Sequence, residues 1–252
     1  ANTTANDNTA LGRNALGVSI TGTRNTALGY ATLDASTTGN YNTAVGGLAL
    51  STNTTAHDNT AVGYQSLYLN LEGTGNTAVG NKSLCNNVNG ISNTAVGDCA
   101  MAGCVPGNYN TAVGRYSLYN NNSTRNTAVG YYSLYSNTGP DNTAIGYAAA
   151  ASNTTGYYNT AVGQGALEDN TTGNINTAVG YCALHKNYAS NNTAVGAYAL
   201  ICNTSGAQNT AVGRNALCTN TTESNNTAVG YHSIFANTDG YKNTAVGSFS
   251  LC

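Results

Sequence analysis

Apolar and polar residues along this chain fall on a fixed beat rather than into blocks. The pentad Asn-Thr-Ala-Val-Gly, with Leu or Ile sometimes replacing Val, begins at Asn8, Asn25, Asn42 and Asn59 and recurs to Asn243, fifteen times in all. The step is 17 residues, shortened to 16 after Asn110, Asn126 and Asn176. Counted from the pentad Asn, each repeat continues with two variable residues, Ala or Ser, then Leu. Two more variable residues, a turn of the type Asn-Thr-Thr-Gly and two last variable residues complete it. A helix–turn–helix repeat takes about 33 residues or more. This shorter period suits two short strands and two turns, so the predicted fold is all-β: a parallel β-solenoid of 15 coils of 16–17 residues.

Period-2 alternation in Thr-Ala-Val predicts a first strand with Thr and Val on the inner face and Ala on the outer. A second strand is predicted around the Ala/Ser-Leu pair, with Leu inside and Ala or Ser outside. Stacking then sets a valine ladder (Val62, Val79, Val96) against a leucine ladder (Leu67, Leu84, Leu118). No single repeat could bury such a core alone. The closing Gly supplies the conformational freedom of a corner. Pro106, Pro140 and the three one-residue deletions fall in the second turn, where no ladder N–H is lost. The recurrent Asn, as in Asn59, Asn76, Asn93 and Asn110, is expected to form a structural ladder. It would bond amide to amide or cap turn backbone. At roughly 4.8 Å per coil, fifteen coils would make a rod about 70 Å long.

One repeat domain is expected to span 1–252. It holds a whole number of coils, starting at repeat position 11 and stopping at position 10, with no polar cap. Uncapped coils template further pairing, so the expectation is head-to-tail stacking into a filament. The small residues read as outward-facing, at positions 3 and 8, would also allow lateral association, including a trimer.

Composition narrows the function. Charged residues are 7% of the chain, against about 25% in ordinary domains. Net charge is −2 and the eight basic residues are scattered, which argues against a nucleic-acid stripe. No apolar run approaches the roughly 18 residues of a membrane span, so no membrane insertion is expected. The histidines, His57, His185 and His232, lie in separate coils, and only Glu168 and Asp169 are adjacent carboxylates. No catalytic triad, metal cluster or phosphate loop emerges, so neither an enzyme nor a cofactor is expected.

The seven cysteines carry more. Cys85 and Cys104, and likewise Cys202 and Cys218, occupy nearly the same angular place in neighbouring coils. Adjacent strands lie within disulfide reach, so both pairs are predicted as staples formed in an oxidising compartment. Cys99, Cys182 and the terminal Cys252 are expected to be free or intermolecular. Sequons in the second turn, at Asn2, Asn53, Asn122, Asn153, Asn170, Asn203 and Asn220, are candidate glycosylation sites; Asn-Thr is also ordinary turn chemistry. Tyrosine, 18 residues, flanks the turns, where rows of rings could stack on sugars or cover backbone.

The run from Asn59 to Leu67, Asn-Thr-Ala-Val-Gly-Tyr-Gln-Ser-Leu, resembles the head repeats of YadA-like trimeric autotransporter adhesins. Their related Ser-Val-Ala-Ile-Gly pentads form a left-handed parallel β-roll. It also resembles the Asn-Thr-Ala-Val-Gly repeats of tail-fibre and surface proteins of phages and other viruses. The resemblance covers essentially the whole chain. It implies a left-handed roll in an extracellular or virion-surface fibre, often trimeric, that spaces or presents a binding surface. The first functional expectation is therefore a structural filament. The alternative is an adhesin or fibre segment contacting a receptor or glycan. Ice binding ranks third, because Thr is read as sharing the buried face with Val.

Overall fold

The computed structural model describes residues 5–103 and 105–251 and is all β, a parallel β-solenoid. The coils fall into two compact units, Ala1–Arg125 and Asn126–Cys252. The first carries β1 (Thr9–Leu11) to β7 (Thr111–Val113) and the second β8 (Thr127–Val129) to β15 (Thr244–Val246). Each strand is the three central residues of a pentad. Within each unit it pairs in parallel and in register with the next, as Thr60 with Thr77, Ala61 with Ala78 and Val62 with Val79. The second unit repeats the pattern, as in Thr160, Ala161 and Val162 against Thr177, Ala178 and Val179.

There is one strand per coil, not two. Around the Ala/Ser-Leu pair the backbone makes two successive tight turns. Ser66 N–H donates to Gly63 O at 3.4 Å, and Asn70 N–H donates to Leu67 O at 3.3 Å. Gln65 and Leu67 lie in the left-handed region, with φ of 54° and 49°. A positive φ at the third residue is what a type II turn requires, and Gln65 holds that place. Left-handed residues on both sides of Ser66 break the in–out alternation of a strand, so Ser66 and Leu67 are both fully buried. Coil-to-coil bonding continues through these turns nonetheless. Leu67 N–H reaches Ser83 O at 3.0 Å, Leu69 N–H reaches Cys85 O at 2.9 Å, and Gln65 N–H reaches Gly47 O at 3.0 Å.

The strand alternates as expected, but in the opposite phase. Ala44, Ala61, Ala78 and Ala95 are fully buried. Val62 and Val79, expected in the core, are only half-buried, and Val96 is 36% exposed. The physical reason is width. A ring of 17 residues with this many turns encloses little space. Each interior layer already holds a Leu (Leu67, Leu84 or Leu118, all fully buried), an Ala or Ser, and asparagine side chains. Ala fits opposite that Leu; Val does not. The closing Gly is fixed by the same crowding. Gly46 has φ of 120°, and a Cβ there would lie 2.7 Å from Gly63 O of the next coil.

The three shortened repeats lose their residue in the second turn. Asn70 reaches a carbonyl three residues on, at Gly73. In the short coils Asn121, Asn137 and Asn187 reach one only two residues on, at Ser123, Gly139 and Ala189.

These positions separate in a mutational test. Leu118→Ala empties a fully buried site and is expected to cost about 2–5 kcal/mol. Val113→Ala, in the strand of the same coil and 37% exposed, should cost less than about 1 kcal/mol. Urea midpoints followed by circular dichroism read both; equal losses would overturn the assignment of faces.

Candidate functional site

No pocket is found among the described residues. What the fold offers is repetition: two buried asparagine columns inside and a threonine–valine face outside.

The pentad column works through the main chain. Asn76 N–H donates to Asn59 Oδ1 of the preceding coil at 2.9 Å, and its own Nδ2 donates to Gly90 O at 2.8 Å. Asn93 repeats both bonds, to Asn76 Oδ1 at 2.9 Å and Gly107 O at 2.8 Å. Asn110 does the same with Asn93 Oδ1 at 2.9 Å and Ser123 O at 2.8 Å. Amide-to-amide bonding is the main habit of a second column, the Asn that opens the Asn-Thr-Thr-Gly turn. There Asn70 Nδ2 donates to Asn53 Oδ1 at 3.0 Å and Asn87 Nδ2 to Asn70 Oδ1 at 2.6 Å. The columns meet at one acceptor per coil. Gly73 O takes Asn59 Nδ2 at 2.8 Å and Asn70 Nδ2 at 2.9 Å. A carbonyl has two lone pairs, and here both are used.

The second column also shows what happens when Asn is missing. Two of its places hold Ser19 and Ser36, whose buried hydroxyls have no hydrogen-bond partner. Asn87 Oδ1 is likewise buried without one. The next place in the column belongs to Cys104, which lies outside the described residues and has no amide to offer.

This column corrects the glycosylation reading. Asn53, Asn153, Asn170, Asn203 and Asn220 are fully buried. The Nδ2 that would carry a sugar is instead a donor: from Asn170 to Asn153 Oδ1 at 2.8 Å and Gly173 O at 3.0 Å, and from Asn203 to Asn187 Oδ1 at 2.7 Å and Gly206 O at 2.8 Å. Asn122 is exposed. Asn2 lies outside the described residues.

On the outer surface, Thr and Val of every interior strand stand partly exposed on either side of the buried Ala. Among the described residues, none of these Thr hydroxyls bonds within the chain. Tyrosines stack along the axis in places: the Tyr131 and Tyr147 rings are 5.5 Å apart with planes 15° from parallel.

The thiols of Cys85, Cys99, Cys182, Cys202 and Cys218 are free, and Cys104 and Cys252 lie outside the described residues. Cys202 N–H donates to Cys218 O at 3.3 Å, which puts the two residues in adjacent coils. Burial pushes the Cys218 thiol up, with the nearby Cys202 adding to it. Burial likewise raises Cys85 and Cys182. One side-chain cluster escaped the sequence reading. His185 lies 3.6 Å from Glu168 and 3.9 Å from Asp169, and its Nδ1 is 3.1 Å from Gly165 O. Among the described residues no three such side chains are grouped as metal ligands would be.

The fold and its ladders define the class: a parallel β-solenoid repeat protein whose coils are joined by buried asparagine columns. Compared with protein families and with curated proteins, the chain matches no family model and no curated sequence.

Two tests follow from the second column. Asn170→Ala leaves Asn153 Oδ1 and Gly173 O short of a buried donor and is expected to cost about 1–3 kcal/mol. Ser36→Asn places an amide where the column lacks one, and should stabilise by about 1 kcal/mol. Urea midpoints decide; a destabilising Ser36→Asn would refute the role given to the column. In protein secreted from eukaryotic cells, mass spectrometry of the folded fraction should find glycan at Asn122 and none at Asn53, Asn153, Asn170, Asn203 or Asn220. A glycan on any of those five would contradict their burial.

Proposed function

We propose that this chain is a structural, non-catalytic protein: part of an extracellular or virion-surface fibre extended by head-to-tail stacking of solenoid subunits. One observation supports the reading above the others. Within each unit, each coil meets the next through the same in-register backbone bonds and the same pentad bond from an Asn N–H to the preceding Asn Oδ1. A coil of a second copy presents that identical set, so stacking across copies reuses the bonds made within one. The Ala columns cannot mediate lateral association, because those alanines are buried; lateral contact would use the outer face of Thr and Val. Cys202 and Cys218, in adjacent coils, are proposed as an oxidative staple.

The alternative reading, an adhesin or fibre segment for a glycan or cell-surface receptor, is favoured by Tyr131 and Tyr147. Their rings stack on one another and remain partly exposed, leaving aromatic surface that a sugar can contact.

Electron microscopy of the purified, non-reduced protein separates the two. Filaments of stacked subunits are expected. Isolated rods that stay monodisperse at high concentration would overturn head-to-tail stacking and leave the adhesin reading. Peptide mapping of the same sample should recover a Cys202–Cys218 linkage; only unlinked thiols would remove the staple.

A further inference from the structure

Within one chain, fifteen repeats serve as their own comparison. The invariant Asn, Ala and Gly of the pentad and the near-invariant Leu of the following turn all have interior work: bonding, filling the narrow core or turning a crowded corner. Thr at pentad position 2 does not. It is present in all fifteen repeats, yet it faces outward and its hydroxyl bonds to nothing in the chain. Strand preference explains a β-branched residue there, but Val or Ile would satisfy it equally and neither ever occurs. By contrast, the residues just after the pentad range over Tyr, Arg, Asp, Asn, Gln and Gly. A constant hydroxyl on an otherwise variable surface points to something outside the chain.

The geometry of that face restricts what the partner can be. Thr hydroxyls repeat along the axis at the strand spacing of about 4.8 Å, and each is followed across the strand, about 6.6 Å away, by an aliphatic side chain. No charged residue occurs at pentad positions 2, 3 or 4 in any repeat. The face is therefore an uncharged two-dimensional array of hydroxyls and methyls. It complements an uncharged partner that is itself periodic on the same scale.

We propose that the Thr–Val face of each unit binds ice. Oxygen rows on the prism faces of ordinary ice repeat at similar spacings. A Thr hydroxyl can both donate and accept, so it can join such a row in place of a water. The γ-methyls of Thr and Val sit between rows. A second copy of the same face is the competing occupant and fits less well. Pressing two such faces together would strip water from rows of hydroxyls, which costs free energy wherever the rigid opposing face does not bring a partner into reach. Against ice every hydroxyl keeps a hydrogen bond. Thr stands on the outer side of the strand, where ice can reach it, and not on the buried side that simple hydropathy predicts.

The test is osmometry and single-crystal ice microscopy on the full chain. Three proteins are compared: the wild type, the face variant Thr160→Lys/Thr177→Lys/Thr193→Lys, and the control Thr155→Lys/Thr172→Lys/Thr222→Lys at exposed turn positions. The wild type and control are expected to lower the freezing point below the melting point and to facet the ice crystal. The face variant should lose both while keeping its far-UV spectrum. If the lysines unfold the sheet, Thr160→Val/Thr177→Val/Thr193→Val keeps the strand shape and removes only the hydroxyls; it should weaken hysteresis. A folded wild type with neither hysteresis nor faceting overturns the proposal, as does equal loss in the control. Sedimentation showing a dimer that the face variant abolishes, without hysteresis, would assign the face to a second copy instead.

Discussion

Each coil of this solenoid encloses an interior too narrow for two large side chains, and part of what fills it is amide. A buried amide left without partners costs about 1–3 kcal/mol, so the asparagine columns are stable only because nearly every donor and acceptor is met, Asn87 Oδ1 being an exception. The coil cannot do this alone. Asn59 Oδ1 needs the backbone N–H of Asn76, and Asn53 Oδ1 needs the amide of Asn70. What one coil lacks, the next supplies. The junction at Gly73 O, which takes one amide from each column, locks the pentad to the second turn. That is why all three deletions fall after the second Asn. The eleven-residue separation between the two columns, as from Asn59 to Asn70, is kept in the short coils, as from Asn110 to Asn121.

The same narrowness accounts for strain that would otherwise be hard to justify. Leu67, Leu84 and Leu118 all lie in the left-handed region, with φ near 50°, at a cost of about 1–2 kcal/mol each. Gly or Asn would avoid that cost but would fill the centre poorly. Fully burying a leucine is worth about 1.5–3 kcal/mol, so the larger side chain wins at this position. The preceding left-handed position lies nearer the surface and accepts Asn14, Gly165 and Asn215 as well as Tyr198. It has no core to fill, and local backbone preference shows through.

Much of this was legible in the sequence, and the failures have specific causes. The period, the pentad strand, the inward Leu and the turn that absorbs deletions could all be read from spacing. The phase of the strand could not. Alternation defines two faces, and hydropathy favours Val over Ala for the inner one. The deciding quantity is the width of the ring, a property of all 17 residues together. The second strand failed because Ser66 and Leu67 read as alternation only if φ is negative at Leu67. Their shared burial depends on a left-handed leucine that composition does not announce. Asn53 and Asn170 were read as sequons because the same Asn-x-Thr string serves exposed turns and buried ladders alike. The His185 and Glu168 pair was within reach, since both occupy position 10 of consecutive repeats; the histidines had been compared only with one another.

A division of labour follows. The contacts that join coil to coil are largely made by backbone groups and buried amides. Outer side chains are therefore released from holding the fold together. Variation outside is then the default and says little: Arg115 beside Asp98, or Tyr147 above Tyr131, are local neighbours on a surface free to change. Constancy outside is informative, because the ladder does not require it. In most folds an invariant exposed residue is hard to separate from one kept for stability. Here interior bonding is nearly complete without the Thr hydroxyl, so its regularity in every coil has to be explained by the solvent side of the sheet.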